Sequence, residues 1–178
     1  MAKADPLKEL LCKAPRDDEM LGRLMALQAE PDYVLAIASG ALVELTLQTA
    51  LLAMFVPLST TKRGRLFEDA HNGPLSTLSS KNRIAHAIGL YGQSTFNDVD
   101  KLRAIRNLFA HVKVAVSFDT PALFARSKTF ELLARHYLTE TINAASGRET
   151  FTWAVIHLHL SIQSTWKRGR PGEMVSLP

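Results

Sequence analysis

Between Pro31 and Pro57 lies the most apolar stretch of the chain, Tyr33 to Val56, with no helix breaker other than Gly40 inside it. A run this long is too long for one strand, and Pro57 stops a helix because it offers no amide donor and crowds the preceding turn. Its length invites a membrane span. However, Ser39, Glu44, Thr46, Gln48 and Thr49 interrupt the apolar surface, so we read it as the buried helix of a soluble protein. A helix apolar nearly all round belongs at the centre of a fold, with the other elements arranged about it.

What surrounds it must be modest in size, because 178 residues make one compact domain with short appendages. With 47% hydrophobic and 21% charged residues the chain is a folder rather than a disordered segment. Lys and Arg number 21 against 17 Asp and Glu, a net +4 that permits an acidic partner without demanding one. Cys12 is the lone cysteine, which excludes a disulfide framework and a thiolate zinc site and fits a reducing compartment. Residues 1–19 lack the apolar core of a signal peptide and carry acids that a transit peptide avoids, so a cytoplasmic location is expected.

Most of the prolines separate segments with helical apolar spacing. Met20, Leu21, Leu24 and Leu27 form one face of a short helix that starts near Asp17 and ends near Glu30. From Leu58 to Thr77 the composition reads as a loop with at most a helical turn near Phe67. Ser79 or Ser80 is expected to cap a helix reaching Leu90, and Ser94 or Thr95 to cap one ending at His111. Val112 to Val116 is too short to require a sheet, and Asp119 or Thr120 before Pro121 looks like a cap and first-turn pair. Two more helices are expected, from about Thr129 to Ala145 and from about Thr150 to Lys167, with Gly147 after the first. The fold class is therefore all-α, a single multi-helix domain over 17–167, with an N-terminal extension 1–16 and a C-terminal tail 168–178.

The chemistry concentrates in Ile105-Arg106-Asn107-Leu108-Phe109-Ala110-His111. Asn107 and His111 are four residues apart on one helix face, and Arg106 sits about 100° to the side with a stem long enough to reach round. Arg106 can bind a phosphate through paired hydrogen bonds, and an imidazole can move a proton near neutral pH. These are the needs of metal-free RNA cleavage, with His111 as general acid or base and Arg106 stabilising the phosphorane. The structural alternative is that Asn107 and His111 tie the following segment, Val112 to Phe118, to the helix end, while Arg106 pairs with a buried acid. Glu44 is the candidate acid, since a carboxylate on the central helix needs a cationic partner unless it faces a wet groove.

His157 and His159 are two apart and diverge on a helix, so they should not share a metal, and neither a metal nor a cofactor is expected. The basic groups Lys62-Arg63-Arg65 and Lys167-Arg168-Arg170 read as solvated surface or helix-end charge pairing before they read as phosphate contacts.

Three ordered motifs resemble the mannitol operon repressor (MtlR-like) family: Leu66-Phe67 followed by Gly73-Pro74 through Ser79-Ser80-Lys81, then Ala85 to Leu90, then the heptapeptide Ile105 to His111. The resemblance covers Tyr33 to Phe118 well and the C-terminal helices loosely. Asn82 stands where that family has an apolar residue and His86 where an aromatic is usual. The resemblance implies an all-helical regulator, acting through protein or DNA contacts, in which Glu44, Gly73, Pro74, Ser79, Lys81, Arg106, Asn107 and His111 form the binding or structural motif. No helix-turn-helix is recognisable in the sequence. The spacing of Arg106 and His111 is also similar to that of the HEPN superfamily, which implies a HEPN-like helical bundle. Its active members are ribonucleases or nucleotidyl-transfer partners with the Arg and His at a dimer interface, the positions matched here by Arg106 and His111. Two readings follow: a non-enzymatic cytoplasmic regulator with no catalytic residue, or a metal-independent ribonuclease using Arg106, Asn107 and His111 on RNA, with a homodimer compatible with either.

Overall fold

The computed structural model describes residues 17–167. Eight α-helices and three 3-10 turns make up this region, and no strand occurs among the described residues. The helices are α1 (Asp17–Ala26), α2 (Asp32–Met54), α3 (Thr60–Phe67), α4 (Leu78–Ala87), α5 (Gln93–His111), α6 (Pro121–Ser127), α7 (Thr139–Ala144) and α8 (Gly147–Lys167).

The apolar helix α2 is central, packed against α4, α5 and α8. By length and composition it could cross a membrane, yet half of its most apolar window is buried inside the protein. Leu35, Val43, Leu47 and Leu51 from α2 meet Val99, Leu102 and Ile105 from α5 and Val155, Leu158 and Ile162 from α8 in one core. Helix α5 runs antiparallel to α2: Arg106 lies beside Gly40, and Phe118, beyond the end of α5, donates its amide to the Asp32 carboxylate at the start of α2 (2.8 Å). Helix α8 runs parallel to α2, since Arg148 pairs with Asp32 at one end and His159 meets the Thr46 hydroxyl (2.8 Å) further along. A row of rings, Phe109, Phe118, Phe151 and Phe130, fills the space between α5, the loop after it and α8, with successive centroids 5.1, 4.6 and 6.4 Å apart.

Several local expectations are corrected. The segment 58–77 contains a full helix, α3, capped by the Ser59 side chain. The cap of α4 is Thr77, in a capping box with Ser80, and α5 starts at Gln93 with Gly92 as its cap. The single helix expected from Thr129 to Ala145 is instead a 3-10 turn, Leu133–Arg135, followed by the short α7. Just before that turn Asp98, fully buried on α5, accepts the amides of Glu131 and Leu132 with its two carboxylate oxygens (2.9 and 2.8 Å) and ties this stretch to α5. Gly147 follows α7 as expected, but α8 already begins at it rather than near Thr150, and a Cβ there would sit 2.4 Å from the Phe118 carbonyl oxygen.

Candidate functional site

Of the polar residues singled out, Lys81 on α4 and Arg106 on α5 converge on Glu44 of α2. Lys81 is 3% exposed, and its ammonium donates to Glu44 Oε1 at 2.6 Å and to the Ser76 carbonyl at 3.3 Å. Arg106 donates to Glu44 Oε2 at 3.4 Å from a position 32% exposed. One half-buried carboxylate thus joins three helices and serves two cations, leaving the triad with a formal charge of +1. The acid proposed from sequence does meet Arg106, but its tighter partner is Lys81, which is why an amine can stay buried there without losing its charge partner.

Gly40, one turn before Glu44, lets this happen. A Cβ at position 40 would lie 2.6 Å from the Arg106 Cδ, so the arginine stem crosses α2 over a bare backbone. That role is invisible in a single sequence, where Gly40 reads only as a weak point in a helix. The turn holding Lys81 is shaped by Gly73, whose missing Cβ leaves room for the Leu66 carbonyl at 2.6 Å, and Leu75 donates to that carbonyl at 2.8 Å. Pro74 is exposed, and Ser79 is half-buried with no hydrogen bond among the described residues.

Asn107 and His111 do not join the triad. His111 ends α5 in an exposed position, Asn107 is half-buried, and neither side chain makes a hydrogen bond among the described residues. The expected anchoring of Val112 to Phe118 by these side chains is therefore replaced by other contacts: Asp32 takes the Phe118 amide and the Thr120 hydroxyl takes that of Ser117. Five residues separate Arg106 from His111, which turns them about 140° apart on the helix. Within one chain they point to different surroundings.

Asn82 and His86 on α4 belong to one network. Asn82, buried, donates to the Phe96 carbonyl (3.1 Å) and accepts from the Tyr91 hydroxyl (2.6 Å), while the His86 ring packs at a tilt on Phe96 (4.9 Å) and contacts the Tyr91 carbonyl (3.2 Å). Burial, with Asp100 in support, pushes the Tyr91 phenol far above its ordinary range, so it remains a donor.

His157 and His159 diverge as expected: one contacts the Tyr137 hydroxyl (3.2 Å), the other Thr46. No group of three or more His, Cys, Asp or Glu side chains suited to a metal occurs among the described residues. Lys62 and Arg65 are exposed on α3, and Arg63 is half-exposed; of the second basic group, Arg168 and Arg170 lie outside the described residues. A cleft of about 250 Å3 is lined by Gln28, Arg148, Glu149, Thr152 and Trp153, none of which the sequence reading singled out. The signal available for it was the pairing of Arg148 with Asp32, but nothing in the spacing joins residues so far apart. Compared with family models, curated proteins and solved structures, the chain matches none of them.

Proposed function

We propose that this chain is a non-enzymatic, cytoplasmic, all-helical regulator that acts through protein or DNA contacts, as its three ordered MtlR-like motifs suggest. The observation that carries the reading is the clasp at Glu44. Arg106, the residue that would have to hold a phosphate, instead pairs with a carboxylate and lies over Gly40, and Lys81 completes the charge pairing. A guanidinium held beside a carboxylate of its own fold, with its stem fixed over Gly40, is less free to take up transition-state charge than an unpaired one. The triad joins α2, α4 and α5, which suits a structural clasp that keeps an interaction surface in shape.

One observation favours the second reading, a HEPN-type ribonuclease. His111 is exposed and without a partner among the described residues, which leaves its imidazole available for proton transfer. The experiment that separates the two is incubation of the full chain with single-stranded RNA in EDTA. A regulator yields no 2′,3′-cyclic phosphate ends, and any nucleic-acid binding weakens steeply with salt because few phosphate contacts support it. Cleavage with such ends, lost in both Arg106→Ala and His111→Ala, would replace the first reading with the second.

A further inference from the structure

Away from the clasp, the segment His136 to Leu138, between the last 3-10 turn and α7, is fastened to α8 by rings. His136 stacks on His157 with centroids 4.2 Å apart and planes 11° from parallel, and Tyr137 stacks on Trp153 at 4.8 Å and 17°. The Tyr137 ring also meets His157 edge-on at 5.4 Å, and its hydroxyl lies 3.2 Å from the His157 Nε2. Backbone support is local: the amides of His136 and Tyr137 both donate to the Leu133 carbonyl. Leu138 beyond them is 74% exposed and adds little packing.

We infer that this four-ring lattice is an acid-released latch, which holds residues 136–138 against α8 while both histidines are neutral and frees them when both are charged. Two imidazolium ions cannot keep a face-to-face stack at this separation without strong repulsion. Release would uncover the Tyr137-facing side of Trp153, which also walls the cleft it shares with Gln28, Arg148, Glu149 and Thr152. The latch therefore couples pH to the shape of that cleft.

The charges around it leave the histidines to each other. Between Glu149 and Lys167, α8 carries no titratable side chain except His157 and His159, and His159 is buried toward Thr46 on α2. On the elements packed against α8, Asp32 is held by Arg148, Glu44 by Lys81 and Arg106, and Asp98 by Lys101 and two amides. Glu131 is held by Asn97 and Lys101, Arg135 donates to the Ser94 hydroxyl, and Lys128 donates to the Asn143 carbonyl. Asp100 is held by Arg103, and Glu19 and Arg23 on α1, Arg126 on α6 and Glu140 on α7 are exposed. Burial first, and the His136 charge second, lower the His157 pKa below its ordinary 6.5. The unfolded chain therefore takes up the proton first as pH falls. The stabilisation is fully present above the ordinary value and is lost as pH drops from there through the folded value.

The test is hydrogen–deuterium exchange of the full chain at about pH 7.5 and about pH 5.5, with rates corrected for their intrinsic pH dependence, beside an NMR titration of the histidines. Protection over 133–142 is expected to fall selectively at the lower pH, and His157 to titrate below the ordinary histidine range. His136→Phe keeps a flat ring on His157 but cannot be charged, so it should move the His157 midpoint upward and remove the selective loss. Unchanged protection once His157 has titrated, or a native midpoint at or above the ordinary value, overturns the latch. The titration of the unaltered chain decides even where the variant fails to fold.

Discussion

Glu44→Gln tests the clasp most directly. Lys81 is almost completely enclosed, and its remaining contact after the substitution is the Ser76 carbonyl at 3.3 Å. Stranding a buried cation costs about 3–5 kcal/mol, and the surviving carbonyl and the Gln oxygen together reduce this toward the lower end, about 3 kcal/mol. Arg106 contributes much less. Its contact is long at 3.4 Å and its side chain a third exposed, so losing this pair costs about 1 kcal/mol or less. For a chain of this size, a loss of about 3 kcal/mol lowers the melting temperature by roughly 6–12 °C.

Denaturant unfolding of Glu44→Gln, Lys81→Met, Arg106→Met and the two double variants closes both thermodynamic cycles. The Glu44–Lys81 coupling is expected at about 2 kcal/mol or more, and the double variant should be more stable than Glu44→Gln alone, because the methionine has no charge to strand. The Glu44–Arg106 coupling should stay below about 1 kcal/mol. Additive effects for Glu44 and Lys81 would refute the buried ion pair, and a larger coupling to Arg106 than to Lys81 would refute the assignment of Lys81 as principal partner.

His111→Ala should change stability by no more than about 0.5 kcal/mol, as expected for an exposed group without a partner; a thermal melt lowered by several degrees would show that the imidazole is structural. Gly147→Ala should be among the most damaging single-atom additions, about 2–4 kcal/mol, because its Cβ meets the Phe118 backbone oxygen rather than a flexible side chain; urea unfolding measures it, and a neutral result would mean the loop after α5 is not fixed against α8.

The parts of this fold legible in the sequence are those set by local rules. Pro31 and Pro57 bracket α2 within a few residues, and the three- and four-residue spacing of Val99, Leu102, Ile105 and Phe109 draws the buried face of α5. A carboxylate placed among leucines demanded a cation, and Arg106 was one of the residues near enough to supply it. Lys81 was selected as a motif residue, but its burial was not legible, because a lysine close to a helix start reads as surface until a partner from another helix is known.

What escaped the sequence depends on contacts between distant residues. Asp98 is the clearest example. On a helical wheel it falls beside Leu102 and Ile105, on the apolar face, where a carboxylate reads as a defect. In three dimensions it supplies the acceptors for Glu131 and Leu132, thirty-three and thirty-four residues away, and is balanced by Lys101 at 2.9 Å. The side chain thereby fixes the chain just before the turn that precedes His136. A second carboxylate of this kind is Asp32, which receives the Phe118 amide and the Arg148 guanidinium and so joins the start of α2, the loop after α5 and the start of α8. Both carboxylates tie a loop to a helix distant in sequence. Ties of this kind are specified by the partner's position rather than by the residues that are tied, which is why the spacing around Glu131 does not reveal them.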